Sequence, residues 1–272
     1  MFTPDQYCQG ADYIKSKLSS PPEALIILGS GLGDVARELT NPIHIPYADI
    51  PHMRPSTAPG HAGQLVFGQL AGKNVLCMQG RLHLYEGYTP AEVSFLVRVA
   101  AMVGAKSLLL TCACGGINQD YRVGDLVMLT DYINMTHTGP LVGMDITGFD
   151  ARFIDMSQAF DREYIALANK KAHELGISLG SGVYFYMPGP QFETPAEIRA
   201  IRNLGGDLVG MSVVHEVIMA RRMGMRVAGF ALVTNMAAGI LDAPLSEEEV
   251  LVEGQKAKER FGGLLKGFVG SM

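Results

Sequence analysis

The chain has 272 residues, a formal net charge of −5, 48% hydrophobic residues and 32 glycines, which suits one large α/β domain spanning 1–272 with a well-buried sheet and tight turns. No basic block offsets the negative charge, which argues against nucleic acid or an anionic membrane as main partner, and no apolar run reaches membrane-spanning length. Cysteines at 8, 77, 112 and 114 lie in or near apolar runs without metal-ligand spacing; they predict buried, reduced thiols in a cytoplasmic protein with no secretory leader and no metal site.

In chain order, residues 4–20 are predicted as a helix. Ala24–Leu28 is an apolar run typical of a central strand, opening into Gly29-Ser30-Gly31-Leu32-Gly33 before a helical 34–39. Strand, glycine loop and helix present backbone N–H groups and a positive helix end to an anion. A dinucleotide fingerprint would need glycine where Asp34 stands, so a smaller phosphate held by Ser30 and loop amides fits better. Residues 52–63 lack periodicity and are rich in glycine, proline and cations, as a mobile surface lid would be.

Strands at 65–71 and 74–79 flank a hairpin signal at Gly72-Lys73. The second runs into Gly80-Arg81-Leu82-His83-Leu84-Tyr85-Glu86-Gly87-Tyr88. If the chain stays extended, alternation places Arg81, His83 and Tyr85 on one face and Leu82 and Leu84 on the other. The polar face offers a guanidinium, an imidazole and a phenol to something small and anionic, with Glu86 placed to orient the imidazole. Taken alone, the nonapeptide also reads as a solvated edge strand. Thr89-Pro90-Ala91-Glu92 then opens a helix with a capping box.

Further strands are predicted at 107–111, 127–130, 183–186, 207–212 and 227–233, with an irregular segment at 134–153, whose length inside a compact domain points to function or to a partner. Helices are predicted from Asp161 to Leu175, after Thr194-Pro195-Ala196-Glu197, from Val213 to Arg222, and after Ser246, capped with Glu249. The polar residues of interest stand at the C-terminal ends of strands, where open α/β sheets bind ligands.

Six motifs together resemble the trimeric purine nucleoside phosphorylases. They are Gly29-Ser30-Gly31-Leu32-Gly33, Pro59-Gly60-His61-Ala62-Gly63, Gln79 through Tyr88, Gly189-Pro190-Gln191-Phe192-Glu193-Thr194, Val209-Gly210-Met211-Ser212 and Thr234-Asn235. The resemblance covers nearly the whole chain. It implies a single α/β domain with a mixed, partly barrel-like central sheet flanked by helices, and cleavage of purine nucleosides by inorganic phosphate as co-substrate, without a cofactor. It places phosphate against Ser30, His61, Arg81, His83, Ala113 and Ser212. Ribose falls to Tyr85 and Met211, with Phe149 reaching into the neighbouring subunit of a homotrimer. The purine falls to Phe192, Glu193, Asn235, Cys114 and Gly115, and catalysis to Asn235, Glu193 and His83.

The chemistry agrees. Cleaving the purine–ribose bond develops positive charge on the sugar and negative charge on the base, so an anion is needed on one side and hydrogen-bond partners on the other. Asn235 carries both an acceptor and donors, matching a protonated N7 and a 6-oxo group, so inosine and guanosine are the expected substrates. Three positions depart from the family pattern. Glu247 stands where a histidine near the ribose 5′-hydroxyl is frequent, Cys112 and Cys114 replace Asn and Ala, and His215 replaces a proline. Glu247 is a ribose candidate, Cys112 is expected to be packing, and His215 a satisfied structural residue. Arg54 reads as a solvated lid charge. A silent nucleoside-binding protein and a phosphate-independent nucleosidase are the alternatives.

Overall fold

The computed structural model describes residues 2–29, 33–58, 61–242 and 244–272, with the main chain alone at Asp34 and Glu247. Helix α1 (Pro4–Lys17) starts at Thr3, whose hydroxyl accepts from the Gln6 N–H while the Gln6 side chain accepts from the Thr3 N–H. Strand β1 (Ala24–Leu28) follows. The expected helix after the glycine loop is instead a 3₁₀ turn, Gly33–Glu38, since six residues form too few i→i−4 bonds to sustain an α-helix.

Strand β2 (Thr40–Pro46) escapes the sequence pattern because it is a largely exposed edge strand containing Pro42 and Pro46, residues that only an edge accommodates. Strands β3 (Gln64–Leu70) and β4 (Lys73–Gln79) form the expected hairpin, but Ala71 and Gly72 make the turn, both at positive φ. The helix after Thr89 is divided into α2 (Pro90–Val93) and α3 (Phe95–Val103) at Ser94, whose hydroxyl donates to the Pro90 carbonyl at 2.9 Å.

The remaining elements are β5 (Ser107–Gly116), β6 (Leu126–Asn134), α4 (Arg162–Glu174), β7 (Leu179–Tyr186), α5 (Pro195–Asn203), β8 (Leu208–Gly210), α6 (Val214–Arg222), β9 (Arg226–Met236) and α7 (Glu247–Val269). Strands β5 and β9 outrun their apolar stretches, carrying Cys112–Gly116 and Thr234–Met236 into the sheet as well.

Among the described residues the strands form one mixed sheet in the order β2-β3-β4-β1-β5-β8-β7-β6-β9, and β9 also pairs with β5. That last pairing closes five strands into a barrel and leaves β2, β3, β4 and β1 as an open wing. The expected fold class is therefore the observed one. Strand β1 shows how the sheet is covered: Leu25 and Ile27 face a core with α1, α3 and α6, while Ala24, Ile26 and Leu28 face one with α4 and α7. Burying both faces explains its unbroken apolar run. No helix among the described residues is long and apolar enough to cross a membrane.

One expectation needs correction. Cys8 is exposed on α1, a helix with one face to solvent, whereas Cys77, Cys112 and Cys114 are buried free thiols. Arg54 is a solvated charge, its side chain 55% exposed, and its guanidinium also pairs with Glu92 at 2.8 Å.

Candidate active site

The ends of the strands surround a pocket of ≈ 360 Å³, within the range that holds a small ligand. Two glycines make its geometry possible. A Cβ on Gly29 would stand 2.7 Å from the Thr111 carbonyl oxygen, so only glycine lets the end of β1 approach β5 this closely. Gly80 has φ +103°, and a Cβ there would lie 2.5 Å from the His61 Cβ.

Beyond Gly80 the expected extension ends at His83. The Glu86 carboxylate accepts from the His83 N–H at 2.7 Å and lies 3.1 Å from His83 Nδ1, and this bends residues 84–86 into a 3₁₀ turn closed by Gly87 at φ +89°. Arg81, His83 and Tyr85 still line the pocket together. The turn stacks Tyr85 on His83, with ring centroids 4.6 Å apart, and His61 stacks on His83 at 5.5 Å.

Part of the pocket wall carries hydrogen-bond donors, Arg81 and Ser212. The Arg81 side chain is 2% exposed, its Nη1 donates to Ser212 Oγ at 3.0 Å, and its Nη2 has no hydrogen-bond partner among the described residues. Ser212 is held by its own N–H, which donates to Tyr184 Oη at 3.1 Å. The next residue, Val213, sits at φ +76°, ψ −54°, and the Val214 N–H donates to the Ser212 carbonyl at 2.9 Å. This is a γ-turn on a β-branched residue, a conformation costing about 1–3 kcal/mol that persists only where its surroundings impose it. It aims Ser212 at the pocket and starts α6.

The same pocket also carries a carboxylate, an amide and an aromatic ring. Glu193 and Asn235 line it, each 8% exposed, with Phe192 partly open above them. Burial pushes the Glu193 carboxyl above its ordinary range against an opposing backbone hydrogen bond, and Glu197 adds to the rise. Asn235 Oδ1 accepts from the Thr234 hydroxyl at 3.2 Å and Nδ2 donates to the Met236 carbonyl at 3.3 Å. The Thr234 hydroxyl also reaches the Cys114 carbonyl at 3.3 Å, so it is the bond to Met236 that sets the amide's sense, leaving one N–H and the Oδ1 acceptor open toward the pocket.

Residues 23–270 match the family described as the phosphorylase superfamily. Purine nucleoside phosphorylase 1 of Bacillus subtilis is 48% identical over 265 residues, covering 97% of this chain and 98% of its own. The chain belongs to the purine nucleoside phosphorylase family. Among solved structures, a Schistosoma purine nucleoside phosphorylase in complex with hypoxanthine superposes with a TM-score of 0.94 at 37% identity, covering 99% of this chain and 98% of its own. The Schistosoma mansoni enzyme in complex with adenosine is equally similar in fold and identity, with the same coverage.

Of the family positions named from the sequence, Arg81, His83, Tyr85, Ala113, Cys114, Gly115, Phe192, Glu193, Met211, Ser212 and Asn235 converge on this one pocket. Cys112 lines it too, where packing was expected; period two puts it on the same side of β5 as Cys114. Ser30 lies outside the described residues, as does the Glu247 side chain. His61 stands behind the wall, with Nδ1 3.0 Å from the Arg81 carbonyl oxygen and 3.2 Å from the Arg81 N–H nitrogen. Burial first, then repulsion from His83 and Arg81, pushes its imidazole down to about 4, so it is neutral near pH 7. Phe149 is outside its own chain's pocket and packs on Arg222 at 4.0 Å and Arg98 at 5.3 Å. His215 is buried with both ring nitrogens lacking a partner among the described residues, not the satisfied residue expected; its ring packs T-shaped against Tyr186, with centroids 5.0 Å apart. Val250, also on the pocket wall, escaped the sequence reading, and Thr234 was named only as a motif member with no site role. A helix valine carries no chemical signal of its own.

Glu86 supports a stability prediction. Burial raises its carboxyl, but bonds from His83 and from the Thr57 N–H and hydroxyl outweigh that and bring it down to about 2. A depressed carboxyl stabilises the fold above its unfolded value of about 4.5 and loses that contribution as pH falls toward 2. Glu86→Gln is expected to cost about 2 kcal/mol at pH 7, discounted for solvent near the loop. Urea unfolding at stepped pH should show the gap to wild type closing below pH 4.5; a gap independent of pH contradicts the assignment.

Proposed function

We propose that the enzyme cleaves 6-oxopurine nucleosides and deoxynucleosides with inorganic phosphate, yielding the free base and (deoxy)ribose 1-phosphate. The observation that carries this reading is that one pocket is lined both by Arg81 with Ser212 and His83 and by Glu193 with Asn235. Arg81 Nη1 and Nη2, Ser212, His83 and the Ala113 backbone hold phosphate, with Ser30 completing the cradle and His61 supporting it from behind. Phosphate is both nucleophile and the anion that stabilises the positive sugar. Tyr85 and Met211 hold the ribose hydroxyls, with Glu247 at the 5′ end.

As the C1′–N9 bond breaks, electrons pass to the purine. Asn235 Oδ1 accepts from N7–H and Nδ2 donates to O6, so the charge is met where it develops. Glu193, ionised, accepts from N1–H and from a 2-amino group; Phe192, Cys114 and Gly115 close round the ring. The whole of 1–272 acts as one domain, and three copies assemble so that each Phe149 completes a neighbour's ribose site. The free thiols fit a reducing, cytoplasmic setting. No step calls for a cofactor.

The base preference rests on Asn235, since a similar enzyme has been captured with adenosine. Steady-state rates at saturating phosphate test it: kcat/KM for inosine is expected to exceed that for adenosine by at least about 10²-fold, the scale on which mismatched buried donors are rejected. Equal values overturn the 6-oxo assignment.

A further inference from the structure

Glu216 plays no part in the reading above, yet its carboxylate lies 3.2 Å from Arg81 Nε, and the two side chains are 1% and 2% exposed. It stands on the first turn of α6, just past the strained Val213. Among the described residues, neither Glu216 oxygen has an aligned hydrogen bond, and neither does Arg81 Nε. The contact thus joins two opposite charges without the hydrogen bonds that would fix an orientation. Burial pushes the His215 imidazole below its ordinary value despite Glu216 beside it, so it is neutral near pH 7, and the Tyr186 hydroxyl is also buried without a partner among the described residues.

A guanidinium this deeply buried needs a compensating charge before any anion arrives, because leaving it unpaired is strongly unfavourable. A carboxylate that stays beside it afterwards opposes the incoming anion, and a low-dielectric wall strengthens that opposition. We propose that Glu216 is the resident counterion of Arg81: it balances the guanidinium before phosphate binds and, by remaining, holds phosphate affinity down. The second half rests on the reading of Arg81 and Ser212 as the phosphate end. A residue that merely packed or oriented Arg81 would have the opposite signature, since its loss would weaken phosphate binding.

The test uses the full chain as wild type, Glu216→Gln, Arg81→Met and the double variant, unfolded by heat in phosphate-free buffer of low ionic strength. Glu216→Gln is expected to lower Tm by about 5–10 °C, and adding Arg81→Met to recover at least half of that. Titrating inorganic phosphate should then raise the Tm of Glu216→Gln more than that of wild type, with an apparent dissociation constant about ten-fold lower and an inosine KM within two-fold of wild type. No recovery in the double variant overturns the counterion role, and weaker phosphate binding by Glu216→Gln overturns the restraint on affinity. If the single variant does not fold, a folded double variant supports the pairing and a double variant that also fails overturns it. A wild type whose Tm does not respond to phosphate removes the phosphate reading of Arg81, while the cycle in phosphate-free buffer still decides the pairing.

Discussion

Replacing Asn235 by alanine is expected to lower kcat/KM for inosine by about 10²–10³-fold, the loss that follows removal of one well-placed partner of developing charge. The expectation comes from how the amide is held. Nδ2 donates to the Met236 carbonyl, which sets the amide's sense, so on the proposed reading its acceptor and its remaining N–H meet N7–H and O6 without reorganisation. Because that interaction strengthens as charge moves onto the purine, the loss should fall on kcat more than on KM. Asn235→Asp extends the argument. An aspartate accepts from a 6-amino group and repels a 6-oxo group, so the adenosine-to-inosine ratio of kcat/KM should rise. An unchanged kcat/KM in the alanine variant, or an unmoved ratio in the aspartate variant, would remove Asn235 from the mechanism.

Arg81→Ala is expected to have an equally large effect, raising the phosphate KM by at least about 10²-fold while the nucleoside KM moves only a few-fold. Two charge-assisted hydrogen bonds to one anion, at roughly 1.5–3 kcal/mol each, set that scale. The same change strands Glu216 in a buried position, so a loss of stability of about 3–5 kcal/mol should accompany it. Arg81→Lys separates the two effects, because it keeps the charge beside Glu216 and loses the fork. It should recover most of the stability and little of the phosphate affinity. Initial rates at varied phosphate, paired with urea unfolding, check this; a phosphate KM unchanged in Arg81→Ala contradicts it.

Much of this site is legible in the sequence because its residues are chemically conspicuous and stand where apolar runs end. Arg81, His83, Glu193, Ser212 and Asn235 each follow or close a run of β-forming residues, and the order of the motifs supplies the family. What escapes has physical reasons. Tyr85 reaches the pocket from a 3₁₀ turn closed by Glu86, not by alternation along a strand. Strand β2 is an exposed edge containing prolines, so it lacks an apolar signature. Glu216 sits on a helix as one acidic residue among many, and its pairing with Arg81 joins positions 135 residues apart, which no local pattern encodes. His215 looks like an ordinary helical histidine until its burial is seen.

The most direct test of the central claim is to incubate the purified protein with inosine, with and without inorganic phosphate, and to quantify hypoxanthine and ribose 1-phosphate. Equal amounts of both products are expected, formed only when phosphate is present. Free ribose formed without phosphate, as a nucleosidase would give, or no cleavage under either condition, as a silent nucleoside-binding protein would give, contradicts it.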